Sequence, residues 1–562
     1  MMATEIHAAG SVTRRLPRPS GTVLLGTLGV IIVCGLIGLP LVAMLGKAVA
    51  GNGGWSALVR PMGDFIYWQA LGNTIVISGG AAALATLLGT VLAWLFVRTD
   101  IFGGRVMEQI CQVPIFIPAF VGAVAWVLLA APRIGILNRI MVWLGLDIRF
   151  DIYTPTGMLW VMGIYLAPYV MMIVAAALRS MDPSLEEAAQ ISGLNKSQTA
   201  LKVTAPLLAP AIASGAGISF AIALGLFGTP MVLGWSRQVY VLTSRIWMAS
   251  QTVPQSYDLM ATLSIYLLVL SSLAVFVQNR LLKGRQYFTV TGKGFRPRPL
   301  ELTRWGRWLG GGFAQLYLLL TVVGPIAVLT VAAISSYTWS GQMSAQNLWA
   351  RLATGDVVQA IRNSLVLSVS ASTLGVGLAI LFSWILVRSR VPGRGALEYL
   401  LLLPISVPGI TFGVGVLLFW IAVPLPVYGT SLIIVFAFVG RFMAYAVRSI
   451  TASLGQIHPE LEESARIFGY RPLRTFLAIT APLILPSIIT SWLLMFSFCM
   501  TELSMVILLY TSNTRTISIL VFELWGTGDF SHLAAISLLQ VVIGLVFMAI
   551  FKLYSSRTSL GH

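Results

Sequence analysis

The chain has 562 residues, of which 57% are hydrophobic and 10% charged, whereas a soluble globular protein carries about a quarter charged residues. Its mean hydropathy of +0.87 excludes a soluble or disordered chain, and its apolar runs are continuous rather than alternating, which excludes a transmembrane β-barrel. Lys and Arg number 36 against 19 Asp and Glu, a net charge of +17; on so apolar a chain that excess reads as membrane topology, not as nucleic-acid binding.

Twelve apolar stretches are long enough to cross a bilayer as helices, at roughly 22–46, 71–97, 110–131, 157–178, 211–233, 260–282, 309–335, 363–387, 399–422, 429–450, 485–510 and 533–556. The first follows Arg14, Arg15 and Arg18 and is about twice as long as a signal-peptide core, so it reads as a retained span. With the N-terminus inside, 25 of the 36 basic residues fall on the cytoplasmic side and 10 outside, with Arg441 within a span, as the positive-inside rule requires. Both termini are then cytoplasmic, 132–156 and 234–258 lie outside, and 283–308 is a basic cytoplasmic linker. Cys34, Cys111 and Cys499 sit in or beside apolar runs, and the four histidines are scattered, so neither a disulfide framework nor a metal cluster is expected. Gly292-Lys293 is followed by Gly294, which is no phosphate-binding loop. No nucleophilic triad or zinc-hydrolase motif is present, so the chain is expected to be neither an enzyme nor a holder of a cofactor.

The chain repeats itself. Asn73-Thr74 matches Asn363-Ser364, Arg98 matches Arg388, Gly103 matches Gly393, Glu108 matches Glu398, and Pro114 and Pro118 match Pro404 and Pro408, each 290 residues apart. Further on the offset is 276, and 14 of 28 positions are identical between 183–210 and 459–486. The domains are therefore an N-terminal half, 1–282, the linker 283–308, and a C-terminal half, 309–562. Six spans per half, both entering from one side, give an all-α membrane protein built as two parallel six-helix repeats, with a pathway between them.

The best-matched stretch is polar. It reads Asp182-Pro183-Ser184-Leu185-Glu186-Glu187-Ala188-Ala189-Gln190-Ile191-Ser192-Gly193 in one half and His458-Pro459-Glu460-Leu461-Glu462-Glu463-Ser464-Ala465-Arg466-Ile467-Phe468-Gly469 in the other, each followed by Ala-Pro-Leu-x-x-Pro. Proline and the acids suit a helix N-terminus, and the glycine suits its stop. Each copy should be a short helix across the cytoplasmic mouth, offering carboxylates and a small apolar patch of Leu185, Ala188, Ala189 and Ile191. A solvated turn with dipole-compensating acids would explain one glutamate alone; two loops in register favour a partner.

These loops, within 180–206 and 456–482, resemble the EAA loop of importer-type ABC transporter permeases. Two copies in one chain, with Phe227-Gly228-Thr229-Pro230 and Val241-Leu242-Thr243-Ser244-Arg245-Ile246-Trp247, resemble the fused permeases of ferric-iron uptake; thiamine and aminoalkylphosphonate permeases look similar. Ser464, where the first copy has Ala188, departs from the motif. The resemblance implies the type I importer permease fold in a bacterial inner membrane. It also implies two copies of a cytoplasmic ATPase that carry the ATP and Mg, and a periplasmic or extracellular solute-binding protein. Glu186, Glu187, Ala189, Gly193, Glu462, Glu463, Ala465 and Gly469 would be the coupling residues.

Small residues four apart, such as Ala213, Gly217, Ala221 and Gly225, predict close helix packing. Arg441 and Glu502 are expected inside spans ten and eleven, where charges are costly and usually face a protein interior; they are candidates for an intramembrane pair. An ion-driven carrier would need more intramembrane carboxylates than Glu502.

Overall fold

The prolines set the shape of this helical bundle. The computed structural model describes residues 21–50, 54–182, 184–282, 301–336, 342–389 and 393–559. Both chain ends, and the basic linker apart from 301–308, lie outside the described residues. Among the described residues, ten helices are long and apolar enough to span a membrane, and twelve spans result when each of two bent pairs counts as one. In the first half, spans 1 to 6 are Thr27–Ala50, Phe65–Arg98, the pair Gly104–Ile115 with Ala119–Ala130, Pro155–Ser180, Ala200–Gly225 and Tyr257–Arg280. In the second, spans 7 to 12 are Arg304–Ile334, Gly355–Arg388, the pair Arg394–Ser406 with Gly409–Ala422, Ser431–Gly455, Leu473–Thr501 and Phe530–Ile550.

Four of these spans carry a single wide turn ahead of a proline. Cys34–Gly38, Ala200–Thr204, Leu319–Val323 and Phe476–Thr480 are π-helical, and Pro40, Pro206, Pro325 and Pro482 follow two residues later. Proline has no N–H to give and its ring crowds the carbonyl one turn back. A wider turn relieves that crowding and lets the helix continue. Spans 5 and 11 therefore begin well before the Ala-Pro-Leu that reads as their entry.

At the other end these two spans stop earlier than expected. Span 5 ends at Gly225 because Leu226 is extended, with ψ 128°, and a separate helix, Gly228–Gly234, follows. Span 11 ends at Thr501 because Glu502 is extended, with ψ 125°. The continuous apolar runs 211–233 and 485–510 conceal both breaks. Spans 3 and 9 are likewise bent rather than straight, by 99° and 117°. Pro118 and Pro408 sit at the bends with ψ 129° and 144°, and neither can supply an amide to a continuous helix.

The two halves clasp each other. Span 1 lies on the Gly409–Ala422 arm of the other half and span 7 on the Ala119–Ala130 arm. Close approach depends on glycine: a Cβ on Gly440 or Gly415 would come within 2.8 Å of the carbonyl oxygens of Leu36 and Pro40. Tyr317 of span 7 donates to the Ile164 carbonyl of span 4 at 2.8 Å. Spans 2 and 8 are the longest, 34 residues each, or about 50 Å at 1.5 Å per residue. That exceeds a hydrocarbon core of about 30 Å, so their ends, Arg98 and Arg388, reach the polar side where the two short helices lie.

Candidate functional site

Each repeated polar loop folds as a short helix, Ser184–Ile191 and Pro459–Ile467. Asp182 accepts the Ser184 amide at 2.9 Å and so caps the first, and Pro459 occupies the first turn of the second. Both stop in the same way. Gly193 and Gly469 have φ of +90° and +81°. The next amides, of Leu194 and Tyr470, turn back to the carbonyls of Ala189 and Ala465 at 3.1 Å in both copies. This is the glycine-terminated helix end expected from the sequence.

The paired glutamates point in different directions. Glu187 and Glu463 are exposed, beside Leu185 and Leu461 and the nearly bare side chains of Ile191 (87% exposed), Ile467 (84%) and Phe468 (83%). Glu186 and Glu462 turn inward instead. Glu462 is 6% exposed and accepts from Arg388 Nε and from Thr480 Oγ1, both at 3.1 Å. Glu186 accepts from Thr204 Oγ1 at 2.7 Å, and its other oxygen lies 3.6 Å from Nη1 of Arg98. Of the four acids named as coupling residues, Glu187 and Glu463 thus face outward, and Glu186 and Glu462 face the membrane bundle. Ala465 is buried and Ala189 half-buried, so both belong to the inner side of their helices.

The repeat had marked Arg98 and Arg388 without giving them a task. A charged residue ending a long apolar run, in register in both halves, was the available signal. Asn73-Thr74 and Asn363-Ser364 also acquire a role. Thr74 and Ser364 accept the first amides of two short helices, Leu242–Ser250 and Ile517–Thr527, at 2.8 Å. Asn73 and Asn363 donate to the carbonyls of Tyr240, and of Asn513 and Arg515, at 2.9–3.0 Å. These clamps hold the end of the bundle opposite the polar loops. There the halves meet through aromatic rings: Phe522 lies 5.9 Å from Phe120, 5.6 Å from Phe227 and 5.6 Å from Trp247.

Arg441 and Glu502 come to the same place without forming an ion pair. A Cβ on Gly409 would lie 3.2 Å from Glu502 Oε1 and 3.7 Å from Arg441 Cζ, yet no nitrogen–oxygen contact within 4.0 Å joins the two among the described residues. Each serves a broken helix instead. Arg441 donates to the Val407 and Pro404 carbonyls at the bend of span 9. Glu502 accepts the Met505 amide at 2.9 Å where span 11 ends. The direct pair expected from the sequence is replaced by two caps that share one neighbourhood. Among the described residues, no three His, Cys, Asp or Glu side chains gather to hold a metal ion.

The sequence matches the model of the family described as "Binding-protein-dependent transport system inner membrane component" twice, over residues 85–286 and 371–560. It is 28% identical over 509 residues to the ferric transport system permease protein FbpB of Actinobacillus pleuropneumoniae, covering 88% of this chain and 72% of that one. It is 26% identical over 495 residues to Fe(3+)-transport system permease protein FbpB 2 of Haemophilus influenzae, covering 87% and 90%. A chain of the bacterial alginate ABC transporter, solved in complex with alginate pentasaccharide-bound periplasmic protein, matches 46% of this chain and 95% of its own, with 23% identity and a TM-score of 0.40. The chain therefore belongs to the family of binding-protein-dependent transport system inner membrane components, as a multi-pass ABC importer permease with both halves fused, whose ATPase is a separate subunit.

Proposed function

We propose that the chain imports ferric iron, received from a binding protein on the outer face and driven by two ATPase copies on the cytoplasmic face of a bacterial inner membrane. The observation that carries the machinery is the pair of short helices, each presenting one exposed glutamate and bare apolar side chains. Two equivalent helices fit two equal partners. Glu187 with Leu185 and Ile191, and Glu463 with Leu461, Ile467 and Phe468, form surfaces that an ATPase groove would cover; ATP and Mg stay on that partner. The 25-to-10 excess of basic residues on the polar-loop side supports a cytoplasmic base.

The aromatic contact between halves at the opposite end supports an inward-facing resting state. Closure of the ATPase dimer would draw the short helices together, part those rings and admit the solute, in alternating access by rocking of two bundles. The choice of iron rests on the relatives, two ferric permeases that align over most of both chains. The test is uptake of radiolabelled ferric iron by cells expressing the chain with its ATPase and binding protein. ATP-dependent accumulation that vanishes without the chain is expected. Equal accumulation without it would contradict the proposal.

A further inference from the structure

We infer that Arg98, Glu186 and Thr204 in the first half, and Arg388, Glu462 and Thr480 in the second, are positioning residues: two internal struts that carry displacement of the coupling helices into the bundle. This deepens the proposed coupling role and rests on it.

Each strut joins three elements of one half. The arginine is the last residue of a 34-residue span. The glutamate lies in the first turn of the coupling helix. The threonine is the last residue of the π-turn in the first turns of span 5 or span 11, the same spans that break at Leu226 and Glu502. In the second half, Glu462 Oε1 receives both Arg388 Nε and Thr480 Oγ1 at 3.1 Å. Arg388 Nη2 also donates to the carbonyls of Ile457 at 2.8 Å and Leu454 at 3.3 Å, at and just beyond the end of span 10. A push on the coupling helix thus reaches spans 8, 10 and 11 through one buried carboxylate.

Burial argues against docking for this glutamate. A side chain 6% exposed has its carboxylate committed to its own chain, whereas its neighbour Glu463 is exposed. The geometry divides the Glu-Glu pair: the first acid faces the bundle and the second faces the partner.

The two struts are unequal. Arg98 is only 1% exposed, yet none of its three guanidinium nitrogens has a hydrogen-bond partner, and the nearest carboxylate oxygen is 3.6 Å away. Leu178 and Met181 are the repeat counterparts of Leu454 and Ile457, and no bond from Arg98 reaches their carbonyls. A buried guanidinium without hydrogen bonds is costly, so a rearrangement that supplies them is favoured. The first strut is the open one, lacking the carbonyl bonds that Arg388 makes in the second. Its closure accompanies movement of the first coupling helix.

The test uses the chain assembled with its ATPase and binding protein. Thr204→Val with Thr480→Val removes the hydroxyls at nearly constant volume, and Thr204→Ser with Thr480→Ser restores them. Glu186→Gln with Glu462→Gln is the second set. Glu187→Arg with Glu463→Arg is the docking control. The valine and glutamine variants should retain the ATPase on purification within twofold of wild type and hydrolyse ATP, while ferric uptake per ATP falls at least tenfold; the serine variant should recover most of it. Loss of the ATPase from the Glu186/Glu462 variant would show a docking role, and normal uptake per ATP in the valine variant would show that the struts transmit nothing; either overturns the inference. Should the Glu187/Glu463 control keep its ATPase and its uptake, the coupling surface itself would be misplaced, a failure separate from that of the struts.

Discussion

Replacing Arg441 by Met and Glu502 by Gln, singly and together, asks whether two capping charges inside the membrane act as one unit. Arg441 holds the Val407 and Pro404 carbonyls, and a hydrogen bond to a charged group contributes about 1.5–3 kcal/mol. Arg441→Met strands those carbonyls and removes the positive charge nearest the half-buried Glu502, so it should cost about as much as those bonds contribute. Glu502→Gln keeps an oxygen for the Met505 amide, 2.9 Å away, and loses the charge alone, so it should cost less. Unit charges 4 Å apart attract by about 4 kcal/mol at an effective dielectric of 20. The two residues lie beyond that contact but share the Gly409 site, so their coupling should fall within the ~0.5–3 kcal/mol found for neighbours. Unfolding of the four purified proteins in detergent measures it as a double-mutant cycle. Additivity to within about 0.3 kcal/mol would refute the shared neighbourhood and leave two independent caps.

Gly193→Ala and Gly469→Ala force an L side chain to φ of +90° and +81°, at about 1–2 kcal/mol each; the coupling helices should fray, and hydrogen exchange at Leu194 and Tyr470 should quicken, whereas unchanged protection would contradict the glycine-stop reading. Asp100 accepts the Leu302 amide at 2.9 Å and pairs with Arg307; the Leu302 amide foremost, and Arg307 with it, hold its carboxyl below the usual carboxylate range. The stabilisation from a depressed carboxylate is complete above its unfolded pKa of about 4 and lost as pH falls through the lower folded value. Exchange at 301–307, corrected for intrinsic rates, should stay constant from pH 8 to 5 and rise only in stronger acid; a rise near pH 6 would show that another group holds this segment. In a cysteine-free background, a cysteine replacing Arg237 should react with an impermeant reagent from outside and one replacing Arg296 should not; the reverse pattern would invert the proposed orientation.

Much of this molecule is legible because duplication repeats what packing alone would not preserve. Arg98 and Arg388, Thr74 and Ser364, and Pro118 and Pro408 all stand out as register matches, and each lies at a helix end, a bend or a clamp between helices. Hydropathy finds the spans but not their interruptions. The runs 211–233 and 485–510 stay apolar through Leu226 and past Glu502, where the backbone becomes extended, because a break inside protein needs a partner for its freed carbonyl rather than a polar sequence. Thr243 supplies that partner to Leu226 at 3.0 Å, from a residue that sequence order places beyond the span. Which glutamate of each pair faces inward was hidden for a similar reason: the answer depends on an arginine and a threonine from other spans.

Whether each half presents a docking surface to an ATPase subunit is decided by purifying the tagged chain from its native membrane and weighing the intact complex. Two ATPase copies per chain are expected, both lost from the Glu187→Arg, Glu463→Arg double variant while the chain itself remains inserted and folded; a chain that purifies alone, or a double variant that keeps both copies, would contradict it.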